Sequence, residues 1–177
     1  MTTLYTLAYP TLSDADRAWI DQQRAAHDQR FVNVVAPHFT MVFRCEAILE
    51  DAYCAWVSTV VSAQSAIPFT CRYAMLGADD ADDTAYAFLV PDEGYSGISR
   101  LHDALYRGPL QPYLKLGIPY VPHITVGTFT DRVTAKDVCD AQNASNRIIR
   151  GSIDALTVGV LENGKIMNIA EFRLTTA

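Results

Sequence analysis

No apolar run in this chain of 177 residues approaches the length needed to cross a bilayer. Its opening residues, Met1-Thr2-Thr3-Leu4-Tyr5, lack the basic and then apolar stretches of a secretory leader. The expectation is a cytoplasmic protein with no membrane partner. The four cysteines, Cys45, Cys54, Cys71 and Cys139, form no C-x-x-C pair, which argues against a zinc knuckle or a thioredoxin-like centre and for reduced thiols. Positive charge is also short: 14 Lys and Arg face 20 Asp and Glu, a net charge of −6. The broad basic surface that holds a phosphate backbone is therefore missing, and long nucleic acid is not an expected partner. Three catalytic signatures are absent as well. Gly94-Tyr95-Ser96-Gly97 falls short of G-x-S-x-G, no G-x-x-x-x-G-K-[ST] occurs, and H-E-x-x-H is not found. The acidic run Asp79-Asp80-Ala81-Asp82-Asp83 lacks calcium-loop spacing and reads as a solvated turn.

The residues that are present describe an ordinary folding chain, 50% hydrophobic and 19% charged, of a length that buries a sizeable core as one domain over residues 1–177. Leu4 to Tyr9 is β-prone and closed by Pro10, and Ser13 offers an N-cap for a helix reaching about Arg30. His38 to Cys45 reads as a strand and Glu50 to Ala63 as a helix. Phe69 to Leu76 and Thr84 to Val90 read as a hairpin. Ser96 to Arg107 is helical and stops at Gly108-Pro109. His123 to Phe129 is a strand, Thr134 to Arg147 a helix, and Ile153 to Leu161 and Ile166 to Leu174 a closing hairpin around Glu162-Asn163-Gly164-Lys165. Helices alternate with strands while hairpins persist, so the sheet should be mixed or mostly antiparallel, which is the α+β class.

One repetition stands out. Val35-Ala36-Pro37-His38-Phe39-Thr40-Met41-Val42-Phe43 resembles Tyr120-Val121-Pro122-His123-Ile124-Thr125-Val126-Gly127-Thr128, each with Pro-His at a strand start and a helix after it. Residues i and i+2 of a strand share a face, so His38 goes with Thr40 and His123 with Thr125, while Phe39, Met41, Ile124 and Val126 anchor the opposite face in a core. Two imidazoles can act as base and acid in one turnover, and two hydroxyls can donate to a non-bridging phosphate oxygen as its charge grows. These parts suit hydrolysis of a phosphodiester. Proton transfer and hydrogen bonding cover the nucleophile, the leaving group and the phosphoryl oxygens, so neither metal nor cofactor is called for.

The paired Pro-His-x-Thr segments resemble those of the two-histidine (2H) phosphoesterase superfamily, which includes 2′-5′ RNA ligase-like proteins and 2′,3′-cyclic nucleotide phosphodiesterases. The resemblance implies a bilobal α+β fold with pseudo-two-fold symmetry, two mostly antiparallel sheets lining a central cleft with helices outside, and both motifs in that cleft. It implies His123 as the base for water, His38 as the acid for the leaving 3′-oxygen, and Thr40 and Thr125 as phosphate ligands. The two histidine roles can be exchanged by microscopic reversibility. It further implies a small nucleotide or short RNA end as substrate. A nucleotide-binding module with little turnover, or a hydrolase of a non-nucleotide cyclic phosphate, shares the same motifs.

Three further residues are candidates for substrate contact. Arg44 has the parity of His38 and Thr40 if the strand stays regular. Tyr5 shares a face with Leu7 and Tyr9, and Tyr120 precedes the second motif; either tyrosine could stack on a base. His27 and His102, in helices, read as structural residues.

Overall fold

The computed structural model describes residues 2–78, 84–117 and 119–176. The chain begins with β1 (Leu4–Ala8), β2 (Thr11–Leu12), α1 (Asp14–His27), β3 (Phe39–Cys45) and α2 (Glu50–Val61). It continues through β4 (Ile67–Ala78), β5 (Ala85–Glu93), α3 (Tyr95–Leu105), a 3-10 helix (Gly108–Tyr113), β6 (Ile124–Phe129) and α4 (Arg132–Ala144). It closes with β7 (Ile149–Ile153), β8 (Ala155–Glu162) and β9 (Lys165–Arg173).

The expected elements are present, and the differences have local causes. The Ser13 hydroxyl accepts from the Asp16 amide (3.1 Å), so α1 starts where the cap residue predicts. It stops at His27, short of the expected Arg30, because the buried Asp28 carboxylate takes Arg24 Nε (3.0 Å) and the Phe31 amide (3.2 Å) and folds the chain back. Two strands are not legible in the sequence. β2 is two residues long, and β7 has no clean alternation of apolar and polar residues. Ile153, expected to open the closing hairpin, instead ends β7. That hairpin turns at Asn163 and Gly164, both at positive φ (49° and 76°), which is the backbone an Asn-Gly pair supplies cheaply. The acidic run at 79–83 lies outside the described residues.

The strands form two sheets, ordered β3-β1-β8-β9 and β2-β7-β4-β5-β6, and the named strand pairs are antiparallel. The α+β expectation of two antiparallel sheets with helices against them holds. α1 and α4 pack on the second sheet, where β6 receives both, while α2 lies against β8 and β9. Register separates the two faces of the first sheet. Leu4, Thr6 and Ala8 pair with Cys45, Val42 and Phe39 on one face, and Leu7, also buried, pairs with Thr40 on the other. Buried Thr6 is not orphaned, since its hydroxyl meets Tyr53 OH at 2.7 Å. In both motif strands the residues between the motif positions are fully buried: Phe39 and Met41 in β3, Ile124 and Val126 in β6. Truncating one of these large side chains to Ala costs about 3–5 kcal/mol, so each motif is held by its own back face.

β3 and β6 are both edge strands. The edge of β4 beyond its pairing with β7 is closed by a side chain: Asn143 accepts from the Ala74 amide (2.6 Å) and donates to its carbonyl (3.0 Å).

Candidate active site

The duplicated tripeptides adopt one local geometry twice. His38 Nδ1 lies 2.8 Å from the Ala36 carbonyl and His123 Nδ1 lies 2.6 Å from the Val121 carbonyl, two residues back in each case. A carbonyl only accepts, so each Nδ1 carries the proton and each Nε2 is left with its lone pair. The intervening Pro37 and Pro122 are buried, which fixes the approach to each strand. Both imidazoles are driven toward the neutral form, each with its pKa lowered to about 4. Enclosure by protein is the main cause at both. At His38 the hydrogen bond to Ala36 opposes this, and the positive charges of Arg24 and of a protonated His123 add to it. The two imidazoles are therefore near enough to feel one another's charge.

The surroundings then diverge. His38 Nε2 faces the Thr40 hydroxyl at 3.2 Å, with the Tyr9 ring edge-on at 6.3 Å between centroids. His123 has no such contact with Thr125. It stacks face to face on Phe88 at 3.7 Å, and Phe88 in turn stacks on Tyr86 at 5.4 Å. That ladder requires Gly77: a Cβ there would stand 2.1 Å from the Phe88 ring, so the ring lies flat on the strand only because glycine is beneath it. His123 and Thr125 open onto a cavity of about 510 Å³ walled by Phe43, Met75, Tyr86, Phe88 and Tyr106. His38 and Thr40 are not on that wall. The segment before His38 borders a second cavity of about 620 Å³ through Ala36 and Pro37. Tyr120 joins the two sides: its hydroxyl donates to the Thr40 carbonyl (3.0 Å), although it belongs to the segment leading into His123.

The three candidate contact residues fare differently. β1 and β3 pair with two register shifts, so parity does not run through β3. Phe43 lines the cavity in the place regular alternation would deny it. Arg44 is exposed and paired with Glu46, and it lies on neither cavity. Tyr5 is half-buried beside that ion pair, whose charges reach its hydroxyl. Tyr120 does reach the site, but as a half-buried residue whose hydroxyl is bonded to Thr40 and whose ring is already stacked on His102.

Sequence reasoning missed His102. It is buried and hydrogen-bonded to Asp103 (3.0 Å), as a structural histidine would be, yet it lies flat against Tyr120 at 3.6 Å and faces the same cavity as His123. Phe88 and Gly77 were missed too, since nothing short of the β4–β5 register places them beneath His123. Among the described residues no three His, Cys, Asp or Glu side chains converge as a metal site would require.

Known proteins bear on this geometry in three ways. The model of the 2′-5′ RNA ligase superfamily matches residues 12–165 of the chain. No curated protein sequence matches it. Among solved structures, Escherichia coli LigT complexed with 3′-AMP superposes with a TM-score of 0.64 at 16% identity, over 99% of each chain. TT0787 of Thermus thermophilus gives 0.60 at 16%, again over 99% of each. Kluyveromyces marxianus Usb1 gives 0.53 at 7%, over 94% of this chain and 96% of its own. At such identities the likeness is one of fold.

Proposed function

Because the chain belongs to the 2′-5′ RNA ligase superfamily of 2H phosphoesterases, we propose that it is a metal-independent phosphodiesterase, hydrolysing a 2′,3′-cyclic or 2′-5′-linked nucleotide by two-histidine acid-base catalysis. The observation that carries the reading is the matched pair of imidazoles, each with Nδ1 tied to a carbonyl two residues back and Nε2 left to exchange a proton. His123 takes a proton from water, the water oxygen bonds to phosphorus, and His38 gives a proton to the departing ribose oxygen as its bond to phosphorus breaks. Thr40 and Thr125 donate to the non-bridging oxygens, whose charge peaks at the pentacoordinate stage. The depressed pKa keeps the base unprotonated at neutral pH. The acid must hold a proton, and an anionic phosphodiester arriving beside His38 raises that group's pKa. LigT, which shares the fold, has been crystallised with 3′-AMP, ATP and phosphate, a ligand set in keeping with a nucleotide phosphate as substrate.

The test is a panel of 2′,3′-cyclic nucleotides, 2′-5′ dinucleotides and cyclic sugar phosphates, with product phosphate position read by phosphorus NMR. A 2′-phosphate product supports His123 as base and a 3′-phosphate product exchanges the two roles. Tight nucleotide binding with no hydrolysis of any panel member would sink the enzyme reading.

A further inference from the structure

The cavity of about 620 Å³ beside the first motif has no part in the reaction just described, and its walls are built for a negative charge. Two arginines line it. Arg24 is 3% exposed; its Nε goes to Asp28 (3.0 Å) and its Nη2 to the Phe31 carbonyl (3.0 Å), while Nη1 has no partner among the described residues. Arg17 is half-buried and gives one Nη2 contact to the Pro10 carbonyl (3.1 Å), with no carboxylate within ion-pair distance among the described residues. The one carboxylate on the wall is Asp21, which is solvent-exposed. Arg24 is charge-matched by Asp28, and its Nη1 is not a sealed donor, so that position is open for an incoming anion to fill. A phosphate oxygen does so with a charge-assisted bond.

The cavity also has a direction. Ala36 and Pro37, the two residues before His38, form part of its wall. Tyr9, edge-on to His38, forms another part and is pinned by its hydroxyl donating to Asn168 Oδ1 (3.0 Å). A ligand in the cavity therefore lies against two residues, Tyr9 and Ala36, that themselves contact the His38 ring.

We propose that this cavity is a second phosphate subsite, taking through Arg17 and Arg24 the phosphate of the nucleotide next to the scissile linkage. The preferred ligand is then a short oligonucleotide end rather than a mononucleotide. This rests on the phosphodiesterase reading for the identity of the first phosphate, but binding alone can test it. The grip is local, which reconciles it with a chain of net charge −6.

The experiment is calorimetry at fixed low salt with three probes: inorganic phosphate, a nucleoside 3′-monophosphate, and a dinucleotide ending in the same 3′-phosphate. The parent should bind the dinucleotide about tenfold more tightly than the mononucleotide. Arg17→Gln should erase most of that preference, Arg17→Lys should keep part of it, and Asp21→Asn should enlarge it by roughly two- to threefold. Arg24 is left alone because its loss would strand the buried Asp28. Equal affinity for the two nucleotides in the parent overturns the proposal, as does a preference indifferent to both Arg17→Gln and Asp21→Asn. Arg17-dependent binding of inorganic phosphate without any dinucleotide preference overturns it too, since the site would then hold a free anion. A dinucleotide preference that survives while nothing is hydrolysed would defeat the catalytic reading and leave the subsite standing.

Discussion

The two motif strands make an instructive pair, because β3 and β6 carry the same tripeptide, sit at the same place in their sheets and share the same Nδ1 contact, yet serve their histidines differently. On β3 the imidazole is held by its own threonine and lies in the field of a buried arginine. On β6 it is held by an aromatic ring and opens onto an apolar cavity. The motif thus specifies tautomer and proton-exchange atom, and the neighbouring strands specify surroundings. Two copies of one device thus come to differ in their neighbours while their imidazoles share the same lowered pKa.

The comparison can be broken outright at the histidines. His38→Ala and His123→Ala should each lower hydrolysis of a 2′,3′-cyclic nucleotide by about 10²–10⁴-fold, with the double variant little worse than either single one. Folded single variants that cleave at the parental rate would end the two-histidine mechanism. At the threonines a smaller and unequal effect is expected. Thr125→Val should cost about 10²-fold in kcat by removing a donor, and Thr40→Ala should match that loss and also move the pH profile, since Thr40 alone contacts its imidazole. A profile displaced equally by both variants would show that the contact does not distinguish the lobes.

The aromatic support sharpens the contrast from the other side. Gly77→Ala displaces Phe88 and should reduce kcat about tenfold while destabilising the fold by about 1–3 kcal/mol. Phe88→Leu should reproduce the kinetic loss at less cost in Tm. If both leave kcat intact, the stack on His123 is packing alone. The smallest kinetic effect belongs to Tyr120→Phe, which deletes only the hydroxyl that reaches the Thr40 carbonyl and should lower kcat a few-fold with KM nearly unchanged.

Acid should act on both lobes alike. Each folded-state histidine titrates near 4, against 6.5 when unfolded, so the unfolded chain binds protons first as pH falls. The stability these groups contribute is complete above about 6.5 and is lost as pH falls to about 4, at up to about 1.4 kcal/mol per group per pH unit. Melting curves across that window should flatten in a His38→Asn/His123→Asn double variant, and an unchanged slope would place the loss on other groups.

Much of this was readable from the chain. Ser13, Pro37, Pro122 and the Asn163-Gly164 turn act through local backbone preference, and burial in alternate positions declared both motif strands. What escaped was set by contacts between distant segments. Arg44 kept the right parity on paper, but the shifted pairing of β3 with β1 moved Phe43 into the cavity and left Arg44 to Glu46 in solvent. His102 looked like an ordinary buried histidine, which it is, and only the arrival of Tyr120 from another part of the chain makes it a wall of the site.

The order of strands in the first sheet carries a consequence for how the protein is made. β1 joins β3, near it in sequence, to β8, far from it, with Leu4 opposite Val160, so the sheet that presents His38 and Thr40 is part local and part long-range, as the second sheet is where β4 joins β5 to β7. Pairings between distant residues wait on slow loop closure, so the β1–β3 ribbon can form well before β8 reaches it. The strand that carries the first motif therefore meets its one neighbour early, while the rest of its sheet waits for distant chain.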